Sequence, residues 1–514
     1  MSKKFSSTVA GASIIITIFT LFGRALGFLR EVVFAGYFGL NRNFEIYLVA
    51  AVLPNAINIV LLVLAQNYFI PNYYKFDSAD KKDFFTHSIN SFLFSSLILT
   101  LILFFFSDFI IDHYVNTASI QARGTASIIF KIFLITIPLT AVISVLYAFL
   151  QAEKKFTAPI VSNLFTNIFI IFAVPFFTDN AGVFIIPISY LAGIAAQAVF
   201  LVIIANKKIK IKISPYFFKT APQTMLGNFF FLTLLIELGG QMFVIVDRFF
   251  LNKVQQGGIA ALNYSSTLFQ LPIVILPFAV ATVLFPSFSE LIRRSDLGEL
   301  KIKVEKSIAS LTLLTTLISF VFIFFGDFLI DLLFRRGNFS LNDASLTFQT
   351  FRIYSISLVF YSIYSVLNKL LYSANLLKLL LLIVIFSLLL KFIFIFFLVD
   401  KIYQNGLALS TSISNIFLCF ACMFTLQSFK LKLASVFFKN LAFYSINGFI
   451  SLLITIIFAV QIKTSGMFTG LLQIFLFSFL FLINCFVCKD DVILLFYNSF
   501  IDFLKIKFLN KMPA

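Results

Sequence analysis

The chain has 514 residues, 60% of them hydrophobic and 12% charged, with 74 Phe, 17 Tyr and no Trp; its mean hydropathy is +1.02. Soluble domains run near 45–50% apolar and about 25% charged, so a soluble globular protein is excluded. The formal net charge of +17 could suggest a nucleic-acid partner, but the basic residues sit in short loops between apolar runs, as cytoplasmic loops of membrane proteins do.

A bilayer-spanning helix needs about 20 apolar residues. Reading apolar runs against charged, Gly, Pro and Asn breaks predicts an all-α polytopic membrane protein with about 14 transmembrane helices. The segments are 8–36, 43–73, 84–111, 124–151, 157–177, 181–205, 225–252, 258–288, 305–333, 342–373, 376–399, 404–428, 440–462 and 465–488. Lys3 and Lys4 precede the first run, which continues through Arg24 and Arg30 without a small-residue cleavage site. It therefore reads as a spanning helix rather than a cleaved signal.

Alternate loops are rich in Lys and Arg. One set holds Lys75, Lys81 and Lys82, then Lys154 and Lys155, then Lys207, Lys208, Lys210, Lys212 and Lys219. It continues with Arg293, Arg294, Lys301, Lys303 and Lys306, then Lys378, then Lys430, Lys432 and Lys439. The opposite set holds few, among them Arg42, Lys253, Arg335 and Arg336. The bias predicts both termini inside. The tail after Lys489 alternates Phe, Leu and Ile with Lys505, Lys507 and Lys511, a pattern suited to the inner leaflet.

An internal repeat appears at a nearly constant offset. Arg30-Glu31 is followed by Leu53-Pro54, and Asp247-Arg248 by Leu271-Pro272, with the same spacing. Asp108-Phe-Ile-Ile-Asp112 recurs as Asp327-Phe-Leu-Ile-Asp331, and Ala181-Gly182 pairs with Asn405-Gly406. Six segments separate equivalent points, so the expectation is two parallel six-helix repeats plus two C-terminal helices. Transporters built from such repeats bind substrate between the halves. The expected domains are an N-terminal six-helix lobe (1–206), a basic cytoplasmic linker (207–224), a C-terminal six-helix lobe (225–429), helices 13 and 14 (430–488) and an amphipathic cytoplasmic tail (489–514).

Charges at membrane depth are costly and face the protein interior or a water-filled cavity. The first segment carries Arg24, Arg30 and Glu31; the second opens on Glu45 and contains Asn58, Gln66 and Asn67. The seventh has Glu237, Gln241, Asp247 and Arg248, and others are Lys131, Arg352, Lys369 and Lys391. Two readings stand. In one, the arginines line a cavity that holds an anionic head group, since guanidinium matches phosphate bidentately. In the other, the charges neutralise one another or snorkel from helix ends.

Cys419-Phe-Ala-Cys422 and Cys485-Phe-Val-Cys488 have the spacing of a zinc site, but both pairs lie in apolar helices and read as small packing residues. No Walker A loop, GxSxG or HExxH occurs. The sequence thus implies no catalytic residue, cofactor or metal, and no ATP-driven step on this chain.

Several stretches resemble the MurJ (MviN) lipid II flippase family of the multidrug/oligosaccharidyl-lipid/polysaccharide (MOP) exporter superfamily. They are Gly23-Arg24-Ala-Leu-Gly-Phe-Leu-Arg30-Glu31 through Glu45 to Leu53-Pro54-Asn55, and Ala261-Leu-Asn-Tyr264 through Phe269-Gln270-Leu271-Pro272 to Ser289. Others are Leu333-Phe-Arg335-Arg336-Gly337-Asn338-Phe339 and Asn405-Gly406-Leu-Ala-Leu-Ser-Thr411. The resemblance implies a non-enzymatic flippase of the bacterial cytoplasmic (inner) membrane, acting in cell-wall assembly. It would carry an undecaprenyl-pyrophosphate-linked saccharide outward by alternating access. Its partners would be that polyprenyl-pyrophosphate-linked glycan, the lipid bilayer and cell-wall synthesis proteins, with no nucleic acid.

Arg24, Arg30 and Glu45 match family positions, and the implied substrate-binding set adds Glu31 and Arg248. Paired arginines that the family carries after Leu-Pro-Asn are uncharged here, around Asn58 and Ile59, and an arginine expected before Leu268 is Thr267. These departures leave open an O-antigen or capsular glycan flippase, or a non-transporting scaffold for cell-wall assembly. Some members resemble sodium-coupled transporters; Asp247 matches the acid of that site. At the matching depth of the eleventh segment stand Ser387 and Lys391, whose ammonium would replace the cation.

Overall fold

The computed structural model describes residues 9–77, 80–114, 119–209, 228–429, 431, 433–461, 467–495, 497–498 and 501. Among these the chain is helical almost throughout and has no strand. Lys3, Lys4, Lys210, Lys212, Lys219, Lys430, Lys432 and the tail lysines lie outside them.

The helices are α1 (Val9–Phe38), α2 (Arg42–Tyr73), α3 (Asp80–Phe105), α4 (Ser107–Tyr114), α5 (Ile120–Leu134), α6 (Thr136–Ala152), α7 (Thr157–Ser162), α8 (Leu164–Ala181) and α9 (Ile185–Asn206). After them come α10 (Asn228–Phe249), α11 (Gly258–Arg293), α12 (Leu297–Phe334), α13 (Leu341–Ile356), α14 (Leu358–Ser373), α15 (Leu377–Thr425), α16 (Leu433–Gln461) and α17 (Met467–Val487). Hydrocarbon offers backbone groups no partner, so continuous helices are the only way an open chain can satisfy them there.

Among the described residues ten helices are long and apolar enough to cross a bilayer, or eleven if α13 and α14, bent by 50°, make one crossing. The apolar runs predict more segments than this count. Part of the difference has a clear source: the stretches Thr157–Asn206 and Leu377–Thr425 are 50 and 49 residues long, over twice what one crossing requires. Each is interrupted. Gly182 takes φ +56 between α8 and α9, and Ile402 and Tyr403 leave helical geometry inside α15, Tyr403 at φ 51.

The chain divides into two compact units. The first comprises Met1–Tyr264, Phe334–Leu346 and Phe396–Leu407; the second comprises Ser265–Leu333, Thr347–Ile395 and Ala408–Ala514. In the first, α2, α3, α6 and α9 pack around Phe69, Phe84, Phe85, Leu146, Phe149 and Leu201. The Phe69 and Phe84 rings stack at 5.0 Å, and Phe85 and Phe149 meet at 4.7 Å. In the second, Leu313, Phe320 and Phe325 of α12 pack with Tyr444 and Leu452 of α16 and with Phe477, Phe481 and Cys485 of α17. Lipid is as apolar as these side chains, so helix association rests on close packing rather than on expulsion of water. Cys485 is one element of that packing.

The exposed faces of α3, the first half of α15 and α16 carry large apolar side chains. Examples are Ile98, Leu101, Ile102 and Phe105; Leu382, Phe386, Leu389 and Phe392; and Ile446, Phe449, Leu453 and Ile457. Such faces suit contact with lipid.

Candidate functional site

The charged residues singled out in the first two segments converge with two from α10 and α11, all within the first unit. Local sequence explains where each begins. Gly23 and Gly27, four residues apart on one face of α1, allow that helix to lie against α8, at Leu164 and Asn167. Arg30 sits one turn further on the same face, and its Nη1 donates to Asn167 Oδ1 at 3.2 Å. The guanidinium also wraps around α1 to Glu31, with Nη2 donating to Oε1 at 2.7 Å and Nε at 3.2 Å. Glu31 is buried.

Its second oxygen, Oε2, accepts from Asn263 Nδ2 of α11 at 3.0 Å. Asn263 Oδ1 in turn accepts from Arg248 Nη2 of α10 at 3.2 Å. One amide thus satisfies a buried acid with its NH2 and a buried cation with its carbonyl. Arg248 Nη1 donates to the Ile259 carbonyl at 3.1 Å, while the Ile259 N–H donates to Glu45 Oε1 at 2.8 Å. Glu45, wholly buried, lies in the first turn of α2, where the helix dipole favours an acid. The turn is fixed by Asn41, whose side chain accepts from the Phe44 N–H at 2.8 Å. Glu45 Oε2 accepts from Arg42 Nη1 at 3.2 Å, and Arg42 also donates to the Leu251 carbonyl and to Asn252 Oδ1, both at 3.4 Å.

The result is one continuous chain of hydrogen bonds, from Asn167 through Arg30, Glu31, Asn263, Arg248, Ile259 and Glu45 to Arg42. Buried charges are tolerated when paired and hydrogen-bonded in this way. Aromatic rings close around it: Phe38 stacks on Phe44 at 5.8 Å, and Phe44 on Tyr264 at 5.7 Å. The Tyr264 hydroxyl donates to the Gly39 carbonyl at 3.3 Å.

The loop after α12 fastens the end of α1. Asn338 N–H donates to the Gly36 carbonyl at 2.8 Å, and Asn338 Nδ2 to the Tyr37 carbonyl at 2.6 Å. Gly337, at φ +56, lies so close that a Cβ there would strike the Gly36 carbonyl; Gly39, at φ +54, would bring a Cβ within 2.5 Å of the Asn338 carbonyl. The Arg335-Arg336-Gly337-Asn338-Phe339 motif is therefore a cap on α1.

Arg24 differs from Arg30. It is exposed, and among the described residues it makes no hydrogen bond or ion pair. Asp247, beside Arg248, is buried in the first unit; Ser387 and Lys391 are buried in the second. Ser387 and Ser414 exchange hydroxyl-to-carbonyl hydrogen bonds at 3.4 and 3.1 Å across the two halves of α15, and Lys391 lies one turn beyond Ser387. Lys131 pairs with Asp108 of α4 at 3.3 Å. Asn58 donates from Nδ2 to Thr136 Oγ1 at 2.8 Å and ties α2 to the start of α6.

Two members of the network, Asn167 and Asn263, were not singled out by charge or periodicity. Asn263 did carry a signal, since it lies in the Ala261-Leu-Asn-Tyr264 motif. Asn167 had none.

The family model described as "Lipid II flippase MurJ" matches residues 34–480. A probable lipid II flippase MurJ from Buchnera aphidicola subsp. Schizaphis graminum is 27% identical over 417 residues, covering 78% of this chain and 80% of that protein. The lipid II flippase MurJ of Thermosipho africanus is 27% identical over 363 residues, covering 70% of this chain and 73% of that protein. A solved lipid II flippase MurJ in an inward closed conformation superposes with a TM-score of 0.79 at 24% identity, covering 93% of this chain and 100% of the other. An inward-facing multidrug resistance MATE family transporter of the MOP superfamily reaches 0.62 at 14% identity, covering 80% and 95%. The last two likenesses concern the fold.

Proposed function

The chain belongs to the MurJ lipid II flippase family, and from that premise we propose that it carries lipid II, a polyprenyl-linked glycan, from the inner to the outer leaflet of the bacterial cytoplasmic membrane. The task is transport, not covalent chemistry. A bulky polar head group must pass a layer in which every uncompensated charge is costly, so the protein has to supply a polar route and close it behind the substrate.

One observation carries the assignment of roles: Arg24 is an exposed guanidinium without a partner among the described residues, two turns along α1 from a largely buried, hydrogen-bonded network. Arg24 is the residue available to a pyrophosphate, which it can grip with two parallel N–H donors. Arg30, Glu31, Glu45 and Arg248 act as the closure, held shut through Asn263, and Arg30 reaches the head group only when that closure opens. With both termini cytoplasmic, as the loop charges imply, α1 and α10 run outward and the network lies at the outer end of the route. Alternating access then consists of breaking and remaking this chain of hydrogen bonds as the six-helix lobes rock. The repeat lobes, the basic linker and helices 13 and 14, counted as the last of fourteen crossings, belong to this reading. So do a sodium-independent cycle, with the Lys391 ammonium near Ser387 standing where a coupling cation would bind, and the involvement of cell-wall synthesis proteins.

The test is rescue of a strain depleted of its own lipid II flippase, with lipid-linked intermediates followed by mass spectrometry. The wild-type chain restores growth and clears accumulated lipid II, and Arg24→Ala does not. Rescue by Arg24→Ala at wild-type level would remove Arg24 from the head-group role and favour a scaffold. Failure of the wild-type chain to clear lipid II would point to another polyprenyl-linked glycan.

A further inference from the structure

Helix α13 departs from the pattern of the other exposed faces. Its exposed residues include Asn342, Ser345, Gln349 and Arg352, spaced by three, four and three. At 100° per residue they fall within an arc of about 80°, and Ile356, one turn on, ends the polar run. From Thr347 on, the part of α13 that belongs to the second unit, the opposite face is buried in protein. Ser265 Oγ donates to the Thr347 carbonyl at 2.8 Å, Ser319 Oγ to the Ser355 carbonyl at 2.6 Å, and Gly326 accommodates Phe348 and Phe351.

Depth makes this stripe informative. Arg352 lies eleven residues into α13, roughly 16 Å along its axis, about half the ~30 Å thickness of the hydrocarbon core. Among the described residues it makes no hydrogen bond or ion pair. In a crossing helix a guanidinium at that distance from the helix start is costly against lipid tails and is favoured facing water or a polar ligand. The exposed faces of α3, α15 and α16 are covered by Phe, Leu and Ile, as contact with lipid requires, and this face of α13 is not.

We propose that the α13 stripe is a recognition track for the head group: Arg352 takes the phosphate charge at mid-membrane, and Gln349, Ser345 and Asn342 meet hydroxyl and amide groups of the saccharide toward the other end. The division follows from chemistry. Guanidinium is a planar fork suited to phosphate oxygens, whereas amides and hydroxyls both donate and accept, as sugar hydroxyls and acetamido groups require. The stripe spans about 15 Å, long enough to lie along a short oligosaccharide. This inference rests on the lipid-linked glycan reading above and adds the part of the ligand that each residue reads.

The test uses the full-length protein in nanodiscs, titrated with lipid II, with undecaprenyl pyrophosphate and with phosphatidylglycerol, binding being read by native mass spectrometry. Arg352→Ala is expected to lower affinity for lipid II and for undecaprenyl pyrophosphate at least tenfold, and Arg352→Lys to recover part of it. The combined variant Asn342→Ala, Ser345→Ala, Gln349→Ala should weaken lipid II several-fold and leave undecaprenyl pyrophosphate unchanged. These three sites are exposed, so that variant keeps the test open even if Arg352→Ala folds poorly. Wild-type affinities in both sets overturn the track while leaving the flippase reading intact, provided Arg24→Ala still loses lipid II. A wild-type protein that binds lipid II no better than phosphatidylglycerol overturns both.

Discussion

Asn263 is neutral, and its importance is out of proportion to its size. It joins Glu31 to Arg248, two buried groups that are 217 positions apart in the chain. Asn263→Ala should cost about 1–3 kcal/mol, the penalty for leaving buried polar groups short of a partner. Asn263→Asp should cost more, since it sets an acid against Glu31. Thermal unfolding in detergent checks both, and an Asp variant as stable as wild type would mean that the carboxylates are not confined together. Glu45→Gln keeps an acceptor for the Ile259 N–H and should be milder than Glu45→Ala. Legibility at this scale followed charge. Arg24, Arg30, Glu31, Glu45 and Arg248 stood out because a charge in an apolar run needs a reason. An asparagine costs far less to place there, so Asn167 and Asn263 gave no comparable alarm. Nor could their partners be read from the chain, because Arg30 meets Asn167 only through the packing of α1 on α8.

At the level of elements, the cap on α1 and the break in α15 both depend on backbone geometry. Gly337→Ala forces a Cβ into the Gly36 carbonyl at a left-handed φ, and should lower thermal stability and loosen the end of α1. Gly124 provides the control: it is helical, with open space where a Cβ would go. Gly124→Ala should therefore be neutral or stabilising by up to about 1 kcal/mol. Tyr403, at φ 51 and ψ −129, occupies a conformation natural only to glycine, so Tyr403→Gly should raise stability by about 1 kcal/mol. A fall instead would show that contacts of the Tyr403 side chain outweigh its backbone strain. The apolar runs made the helices visible from composition, and a polar interruption marked one of the bends. The stretch Leu377–Thr425 leaves helical geometry at Ile402 and Tyr403, within the gap between the predicted segments 376–399 and 404–428; the backbone angles there were not legible in the sequence.

Across the whole molecule, the loop charges predict which ends face the cytoplasm. With Cys419, Cys422, Cys485 and Cys488 replaced, a single cysteine at Lys155 should escape a membrane-impermeant maleimide in intact cells and react once the membrane is opened. A single cysteine at Lys253 should react in both. The reverse pattern would invert the topology and move the Glu31–Asn263–Arg248 closure to the other end of the route.

The sequence by itself determined that this chain is a multi-pass membrane protein of the lipid II flippase family, and which few residues bring charge into its apolar helices. That was possible because the cost of placing a side chain in hydrocarbon is paid locally, residue by residue, and the motifs carrying the resemblance are local too. The tertiary structure decided where those charges pair: Arg30 and Arg24, alike in sequence, become a member of a largely buried network and an exposed cation without a partner among the described residues. It also turned the Arg335–Phe339 motif into a cap and the face of α13 into a polar stripe. Pairing depends on which helices pack together across hundreds of residues, and neither composition nor periodicity along one helix contains that information.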